Sequence, residues 1–348
     1  YFSHRQLVLH TLGNLAAFGT PATQGRFHQE DVYMPLTPMF HVHAWGMPYV
    51  ATSLGVKQVY PGKYAPGTIL QLVAGEGVTF SHCVPTVMHM LMNHPSFNEL
   101  DLSRWKVLIG GSALRKSMCQ TAMARGIDIF TGYGMSETCP ILTVAHVHRN
   151  DLEFGEEVDL RCTTGRPIPL VELRLVDEQM NEVAHDGEQV GEIVVRTPWL
   201  TQGYLKDQRN SENLWRGGYL HTGDVASIDH GNYVTISDRI KDVIKTGGEW
   251  LSSLELEDAI SLHPGVAEVA VIGRQDSKWG ERPLALVIPR EGVEPPTPRQ
   301  IIRHLSHFIE KGLLSKQAML LKMKLVDAID KTSVGKIDKK NLRIKHLP

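Results

Sequence analysis

The sequence predicts an α/β protein with three successive parts: a mixed α/β part, a small antiparallel β subdomain and a small α+β domain. Three changes of pattern support this division. Helical and strand-like segments alternate over residues 1–160, which indicates a predominantly parallel sheet. Short strands separated by turn residues follow over 161–238. A helix, two strands and a further helix occupy 239–348, which is the size of an independent domain.

The first part begins with a helix signal. Ser3 and Gln6 have the spacing of a capping box, which predicts a helix that starts directly after Ser3. A second helix, rich in small residues, is expected through Ala44, Trp45 and Gly46. The remaining expected elements are strands at 32–36, 56–60, 78–84, 106–111 and 127–130, and helices at about 68–74 and after Pro85.

The second and third parts have shorter patterns. Residues 229–232 read Asp-His-Gly-Asn, which predicts a hairpin turn between two strands of the antiparallel subdomain. A proline-rich segment at 295–298 precedes a helix that is expected to end near Glu310. The other expected elements are strands at 172–176, 191–196, 233–236, 268–272 and 284–288, and a helix at 253–262.

Composition excludes several classes of function. The formal net charge of −2 over 348 residues gives no broad basic surface, so nucleic-acid binding has no electrostatic support. The four cysteines are scattered without closely spaced pairs, which favours a reducing, cytoplasmic location. No apolar run is long enough to cross a bilayer. The chain starts without Met, two residues before a helix cap, and we therefore expect it to be a fragment.

The most informative motif is Thr-Gly-Tyr-Gly-Met-Ser-Glu-Thr at 131–138, after an apolar strand. Its two glycines allow backbone to approach a ligand closely, and Tyr133 offers a flat ring. Glu137 supplies the hard oxygen ligand that Mg²⁺ takes, and Ser136 and Thr138 supply hydroxyl groups. The segment therefore predicts a nucleotide-phosphate site in one turn, the alternative being an exposed turn with polar caps.

Five further segments carry polar or aromatic groups. Each has an ordinary structural alternative when taken alone: a tight turn, core packing, a turn aspartate, a charged linker or an exposed lysine. They are Gly-Gly-Ser-Ala at 110–113, expected to end a strand and begin a helix, the aromatic and imidazole cluster at 38–45, Thr-Gly-Asp at 222–224, the charged segment at 237–242, and the Gly-Lys loop at 332–336.

In this order the motifs resemble those of the adenylate-forming superfamily, which includes acyl-CoA synthetases, luciferases and peptide-synthetase adenylation domains. The resemblance covers the whole chain and includes a structural motif from Gly191 to Tyr204. It implies part of a large mixed α/β adenylation domain, followed by a small mobile C-terminal domain. It also implies an AMP-forming ligase that uses ATP, coenzyme A and Mg²⁺, and a carboxylic acid substrate.

The resemblance implies a role for each residue that occupies a motif position. Lys336 would bridge the carboxylate and the α-phosphate, and Glu137 would hold Mg²⁺. Tyr133 would stack on adenine, while Asp224 and Arg239 would hold the ribose hydroxyls. The implied catalytic residues are Lys336, Glu137, Arg239 and Thr138; the implied nucleotide contacts are Gly111, Ser112, Ala113, Tyr133, Gly134, Met135, Thr138, Asp224, Arg239 and Lys336.

In the family the C-terminal domain rotates between two half-reactions. Lys241 falls at the implied hinge, where many relatives carry Asp. Rotation would withdraw Lys336 and bring Thr246, Gly247 and Gly248 to line the channel for the pantetheine arm of coenzyme A. Replacing Lys336 by Ala should then abolish adenylation and spare the second half-reaction.

The departure from the family pattern lies at the start of the chain. The family's phosphate-cradling loop, which ends in Pro-Lys-Gly, would lie just before Phe2 and is absent. We therefore expect an N-terminal portion of the same enzyme to be a partner of this chain, and little ATP-dependent activity without it. A homodimer is a further candidate assembly.

The implied acyl pocket suggests the substrate class. Its small residues leave room for a chain, and no basic residue marks a second carboxylate. The segment 38–46 looks most like those of medium- and long-chain fatty acyl-CoA synthetases. Aryl or methylthio-alkanoate CoA ligases, ligases that load a carrier protein, and an inactive acyl-nucleotide binding module are the alternatives. The pocket residues are His41, Trp45, Val84, Gly110, Gly111, Gly134 and Met135.

Overall fold

A computed structural model describes residues 1–22, 24–147, 151–247, 249–332 and 336–347. The helices are α1 (His4–Gly19), α2 (Met47–Leu54), α3 (Pro66–Glu76), α4 (Pro85–Met92), α5 (Lys116–Ala124), α6 (Phe154–Cys162), α7 (Gln208–Leu214), α8 (Ser253–Ser261), α9 (Pro298–Glu310) and α10 (Lys339–His346). The first strands are β1 (Val32–Pro35), β2 (Lys57–Gln58), β3 (Phe80–Cys83), β4 (Lys106–Ile109), β5 (Asp128–Gly134), β6 (Ile141–Val144), β7 (Arg166–Pro167) and β8 (Glu172–Val176). The remaining strands are β9 (Gly191–Arg196), β10 (Leu220–Ile228), β11 (Val234–Arg239), β12 (Ile244–Thr246), β13 (Glu249–Leu251), β14 (Val266–Asp276), β15 (Gly280–Pro289) and β16 (Lys322–Leu325).

The chain divides into two compact units. The first unit contains residues 1–222 and 226–236, and the second contains 223–225 and 237–348. Helices and strands occur in both, so the mixed α/β fold class is confirmed. None of the described helices is long and apolar enough to cross a membrane.

A seven-stranded sheet organises the first unit, in the order β2-β1-β3-β4-β5-β6-β7. The strands from β2 to β5 pair in parallel, and β6 and β7 join the same sheet in antiparallel fashion. In β4, Val107 and Ile109 pack into one apolar cluster while Leu108 packs into another. Because neighbouring side chains of a strand point to opposite faces, the sheet is covered on both sides.

Local signals determine several element boundaries. The Ser3 hydroxyl accepts a hydrogen bond from the Gln6 amide, and the Gln6 side chain accepts one from the Ser3 amide. The predicted capping box and the helix after it are confirmed. Thr297 and Gln300 form a second box at the start of α9, where Pro298 takes a position that needs no amide donor.

Two expected helix starts were wrong. Residues from Val42 to Trp45 have φ angles between 47° and 59°, so this segment is a left-handed turn and the right-handed helix begins at Met47. Such angles are uncommon outside glycine, and tertiary packing of Ala44 and Trp45 overrides the local preference. The Gly-Gly-Ser-Ala segment also does not begin a helix, because a loop separates it from α5 at Lys116.

The predicted antiparallel subdomain corresponds to a four-stranded sheet in the order β11-β10-β9-β8. Strands β8 and β9 pair antiparallel along their whole length. The predicted hairpin turn joins β10 to β11, and the Asp229 carboxylate accepts hydrogen bonds from the amides of Gly231 and Tyr233. Asn232 takes a left-handed φ of 62°, which asparagine tolerates better than most residues.

The second unit is built on a sheet in the order β13-β12-β15-β14, with β16 parallel to β15. Long antiparallel pairing of β14 and β15 forms its centre. Helices α8 and α9 cover the apolar cluster on one side, and Leu342 of α10 packs into a different cluster with Ile272 and Leu286. Each face of this small sheet therefore carries its own core.

Candidate active site

The motif at 131–138 is divided between two elements, whereas the sequence suggested one turn. Strand β5 continues through Gly134, and a single 3-10 turn follows at Ser136–Thr138. The Thr138 hydroxyl is fully buried, accepts a hydrogen bond from the Met135 amide at 3.0 Å and also contacts the Pro140 carbonyl. Thr138 therefore orders the turn that follows the strand.

Position 134 requires glycine, because the space around its backbone is too small for a side chain. A Cβ atom added there would lie 1.9 Å from the Pro140 carbonyl oxygen. Both atoms in this contact belong to the backbone, so neither can turn away as a side chain would. The close approach of the two segments brings the end of β5 against the start of β6.

Glu137 extends from the 3-10 turn and has a specific partner. The Tyr204 hydroxyl donates to its Oε1 at 2.7 Å, and the Thr201 amide donates to its backbone carbonyl at 3.0 Å. Burial and the adjacent Glu137 carboxylate raise the pKa of Tyr204 to about 12. The phenol therefore stays protonated and remains a donor at neutral pH. Sequence reasoning missed this contact, although Tyr204 ends the structural motif that it identified.

Two of the acyl-pocket candidates, Val84 and Gly110, directly follow strands of the main sheet. Gly110 follows β4, and a Cβ atom there would lie 2.9 Å from Cη2 of Trp45. Val84 follows β3 and is buried, as is Trp45, whose ring centroid lies 5.0 Å from that of His82. His41 is half-buried ahead of the left-handed turn. The Trp45 ring therefore packs against the backbone at Gly110.

His82 lies beneath Trp45 and was not identified from the sequence. Its Nε2 lies 2.7 Å from the Tyr33 hydroxyl, and complete burial lowers the pKa of His82 to about 3. The imidazole is therefore neutral, and its role in the structure is to support the Trp45 ring. The exposed segment Gly111, Ser112 and Ala113 lies in the loop before α5.

Three predicted residues meet within the second unit. Nε of Arg239 donates to the buried Asp224 carboxylate at 3.1 Å, and the Ile240 amide donates to the Gly223 carbonyl at 2.9 Å. Burial lowers the pKa of Lys336, the nearby Arg239 guanidinium lowers it further, and Asp224 opposes both effects. Two cations and one carboxylate, distant in sequence, thus form one electrostatic group.

The segment predicted to bind coenzyme A lies in the same unit. Thr246 is fully buried, and Gly247 has a φ of 61° with its amide donating to the Trp279 carbonyl at 2.9 Å. A Cβ atom at Gly247 would lie 3.2 Å from the Trp279 ring. Gly248 lies outside the described residues. The exposed Lys241 accepts a hydrogen bond at its carbonyl from Arg343, at 3.1 Å.

Comparison with known families identifies the chain. The model of the AMP-binding enzyme family matches residues 3–205, and that of the AMP-binding enzyme C-terminal domain matches residues 255–336. The chain belongs to the AMP-binding enzyme family. The resemblance to adenylate-forming enzymes that the motifs indicated is confirmed.

Individual relatives of this family member support the same assignment. The chain is 40% identical to the long-chain-fatty-acid–CoA ligase of Thermus thermophilus and 38% identical to the 3-methylmercaptopropionyl-CoA ligase of Ruegeria lacuscaerulensis. Each alignment covers 98% of this chain and 62% of the relative. The chain therefore spans less than two thirds of the length of these curated relatives.

A solved structure shows the same fold. The ATP-bound MatB of Rhodopseudomonas palustris superimposes with a TM-score of 0.83 at 26% identity, over 99% of this chain and 64% of MatB. The mixed α/β architecture is thus that of AMP-binding enzymes.

Substitution of Gly134 by Ala tests the close backbone approach. We expect the variant to lose about 3 kcal/mol of unfolding free energy, because β5 and the segment at Pro140 must separate. Urea denaturation of both proteins measures this difference. Gly75→Ala is the control, since Gly75 lies in α3 with open space around its Cβ position and should change stability by no more than about 1 kcal/mol. Equal midpoints for the two variants would contradict the argument.

Proposed function

We propose that the enzyme that contains this chain is an acyl-CoA synthetase, which activates a medium- or long-chain fatty acid with ATP and transfers the acyl group to coenzyme A. The observation that carries this proposal is the group formed by Lys336, Arg239 and Asp224 within one unit. Two cations beside a buried carboxylate suit a ligand that combines phosphate with ribose hydroxyl groups. Family membership supports the same reaction.

In the first half-reaction, a carboxylate oxygen of the acid attacks the α-phosphorus of ATP. A phosphorus–oxygen bond forms to give the acyl-adenylate, and the bond to the leaving pyrophosphate breaks. Lys336 would lie between the two anions and reduce their repulsion as a compact charge. Asp224 would accept hydrogen bonds from the ribose hydroxyls while Arg239 orients that carboxylate. Tyr133, Gly134 and Met135 would contact the adenine.

Mg²⁺ fits the donor set around Glu137. Among the described residues no group of three or more His, Cys, Asp or Glu side chains could hold a metal ion. Mg²⁺ at nucleotide sites commonly binds one or two carboxylates and completes its shell with phosphate oxygens and water. Glu137 would supply that carboxylate, with one oxygen oriented by Tyr204. The ion would neutralise charge on the phosphates when bound.

In the second half-reaction, the thiol of coenzyme A attacks the acyl carbon and AMP leaves. We propose the domain division 1–160, 161–238 and 239–348, with the last part rotating about Lys241. Rotation would withdraw Lys336 and present Thr246, Gly247 and Gly248 to the pantetheine arm. The small residue at 247 lets that arm pass close to backbone beside Trp279.

The acyl pocket would be formed by His41, Trp45, Val84, Gly110 and Met135, together with Gly134. The wall that Trp45 would form has a neutral support, since burial lowers the pKa of His82 behind it to about 3. The two curated relatives act on a long-chain fatty acid and on a methylthio-alkanoate, which supports an unbranched acid as substrate. Because all four cysteines are free, we also propose a cytoplasmic location.

A panel of acids identifies the substrate class. The full-length enzyme should catalyse acid-dependent pyrophosphate exchange most efficiently with unbranched acids of medium or long chain, and less with aryl acids or 3-methylthiopropionate. Apolar pockets distinguish neighbouring chain lengths by about 1–3 kcal/mol per methylene, so a graded series is expected. Transfer to a carrier protein instead of free coenzyme A would contradict the choice of acceptor. Absence of exchange with every acid would indicate a binding module.

Replacing Lys336 by Ala separates the half-reactions. The variant should lose adenylation by a factor on the order of a hundred or more, because the bridging cation is absent from the transition state. It should still convert a supplied acyl-adenylate and coenzyme A to the thioester at near the wild-type rate. Single-turnover measurements give both rates. Equal losses in the two half-reactions would contradict the role of Lys336.

The lowered pKa of Lys336 predicts a pH dependence. Adenylation requires the protonated amine, so kcat/KM should fall as pH rises through a pKa that lies below the ordinary lysine value. Lys336→Arg keeps its charge throughout this range, and its residual activity should show no such alkaline decrease. Lys331→Arg is the control, because this exposed lysine pairs with Glu268 and should leave the profile unchanged. An alkaline limb shared by all three proteins would refute the assignment.

A further inference from the structure

A buried carboxylate connects the end of β11 to the start of α8. Asp238 is 1% exposed, and its Oδ2 accepts hydrogen bonds from the Ser253 amide at 2.5 Å and from the Ser253 hydroxyl at 2.6 Å. Its Oδ1 accepts from the Arg239 amide at 2.7 Å. A carboxylate at a helix N-terminus is stabilised by the unpaired amides there. Asp238 thus holds α8 directly beside Arg239.

A lysine extends this contact to the segment that carries Lys336. Lys339 begins α10, and its Nζ donates to the Ser253 hydroxyl at 2.6 Å and lies 2.9 Å from the Glu257 carboxylate. Lys339 and Glu257 are each about 10% exposed or less, and the Val271 amide donates to the same Glu257 oxygen. The ammonium is therefore held by two partners in a buried position.

These contacts lie on both sides of the proposed hinge. Asp238 precedes Lys241 in the chain, whereas Ser253 and Lys339 follow it. If the residues after Lys241 rotate as a body while Asp238 stays with the preceding part of the chain, the rotation moves Ser253 relative to Asp238 and changes the geometry of their hydrogen bonds. The ion pair of Arg343 with Asp242 behaves differently, because both residues follow the hinge and can move together.

We propose that Asp238, Ser253 and Lys339 form a latch that holds the arrangement used for adenylation and opens before the thioester step. This inference rests on the proposed function, because the latch has a role only if the two half-reactions need different arrangements. In the closed latch, Arg239 adjoins Asp238 and Lys336 lies three residues before Lys339. One chain of buried polar contacts therefore connects the segments that carry the two cations of the site.

Ser253→Ala in the full-length enzyme tests the latch. The variant loses the hydroxyl that joins Asp238 to Lys339 and keeps the amide contact and the Lys339–Glu257 pair. Weakening the arrangement used for adenylation shifts the equilibrium towards the arrangement used for the thioester step. We expect the ratio of the adenylation rate to the thioesterification rate, measured with supplied acyl-adenylate, to fall on the order of five- to tenfold. A lower adenylation rate with an equal or higher thioesterification rate is the specific signature.

Two further variants make the result decisive. Asp238→Asn weakens the same contact from its other end and should shift the ratio in the same direction, so the test does not depend on one variant. Ser261→Ala removes a hydroxyl at the opposite end of α8, where it donates to the Asp258 carbonyl at 2.7 Å, and should leave both rates unchanged. Thermal unfolding of each variant verifies that it is folded.

The outcomes separate this inference from the proposed function. If the wild-type enzyme forms acyl-adenylate and both latch variants keep the wild-type ratio, or slow both steps equally, the latch is refuted while the function stands. If the wild-type enzyme forms no acyl-adenylate with any acid, the proposed function fails and the latch fails with it.

Discussion

Parallel pairing of the strands from β2 to β5 is the constraint on which the first unit depends. Parallel strands must be buried on both faces, and their carboxyl ends must meet at one edge of the sheet. The segments after β3, β4 and β5 therefore leave the sheet at the same edge. They carry Val84, Gly110 and Glu137, of which the first and the last are 53 positions apart in sequence.

At that edge, close packing of the backbone restricts the position of the Glu137 side chain. The approach of Gly134 to the Pro140 carbonyl leaves no room for a Cβ atom, and the buried Thr138 hydroxyl orders the turn that follows. Glu137 then extends from a turn with little freedom, and Tyr204 orients one of its oxygens. A carboxylate that is positioned before its ligand arrives does not have to be ordered during binding.

In the second unit, interactions between charged side chains restrict the positions of the candidate residues. Asp224 pairs with Arg239, and Lys336 lies close enough for both to influence its pKa. In the same unit, Lys339 is paired with Glu257 in a buried position, where loss of either partner would leave an uncompensated charge. Lys339 also donates to the Ser253 hydroxyl, which donates to Asp238, so buried polar contacts link the segments that carry Lys336 and Arg239.

The sequence by itself determined those features that depend on a few adjacent residues. The capping box at Ser3, the turn at Asp229 and the order of the motifs could all be read locally, because each depends on side chains within a few positions. Motif order also indicated the family, and with it the identity of Glu137 and Lys336 as candidate residues. Propensity did not indicate the left-handed turn before Met47, because burial of Trp45 outweighs the local preference there.

Only the tertiary structure decided which distant groups meet. The bond from Tyr204 to Glu137 spans 67 positions, and that from Lys339 to Ser253 spans 86. His82 supports Trp45 from a different strand, and the lowered pKa of Lys336 arises from burial and from Arg239. Such contacts depend on how sheets and helices pack, and burial removes the water that would otherwise screen the charges. Sequence therefore identified the chemical groups, and packing determined their partners and their ionisation.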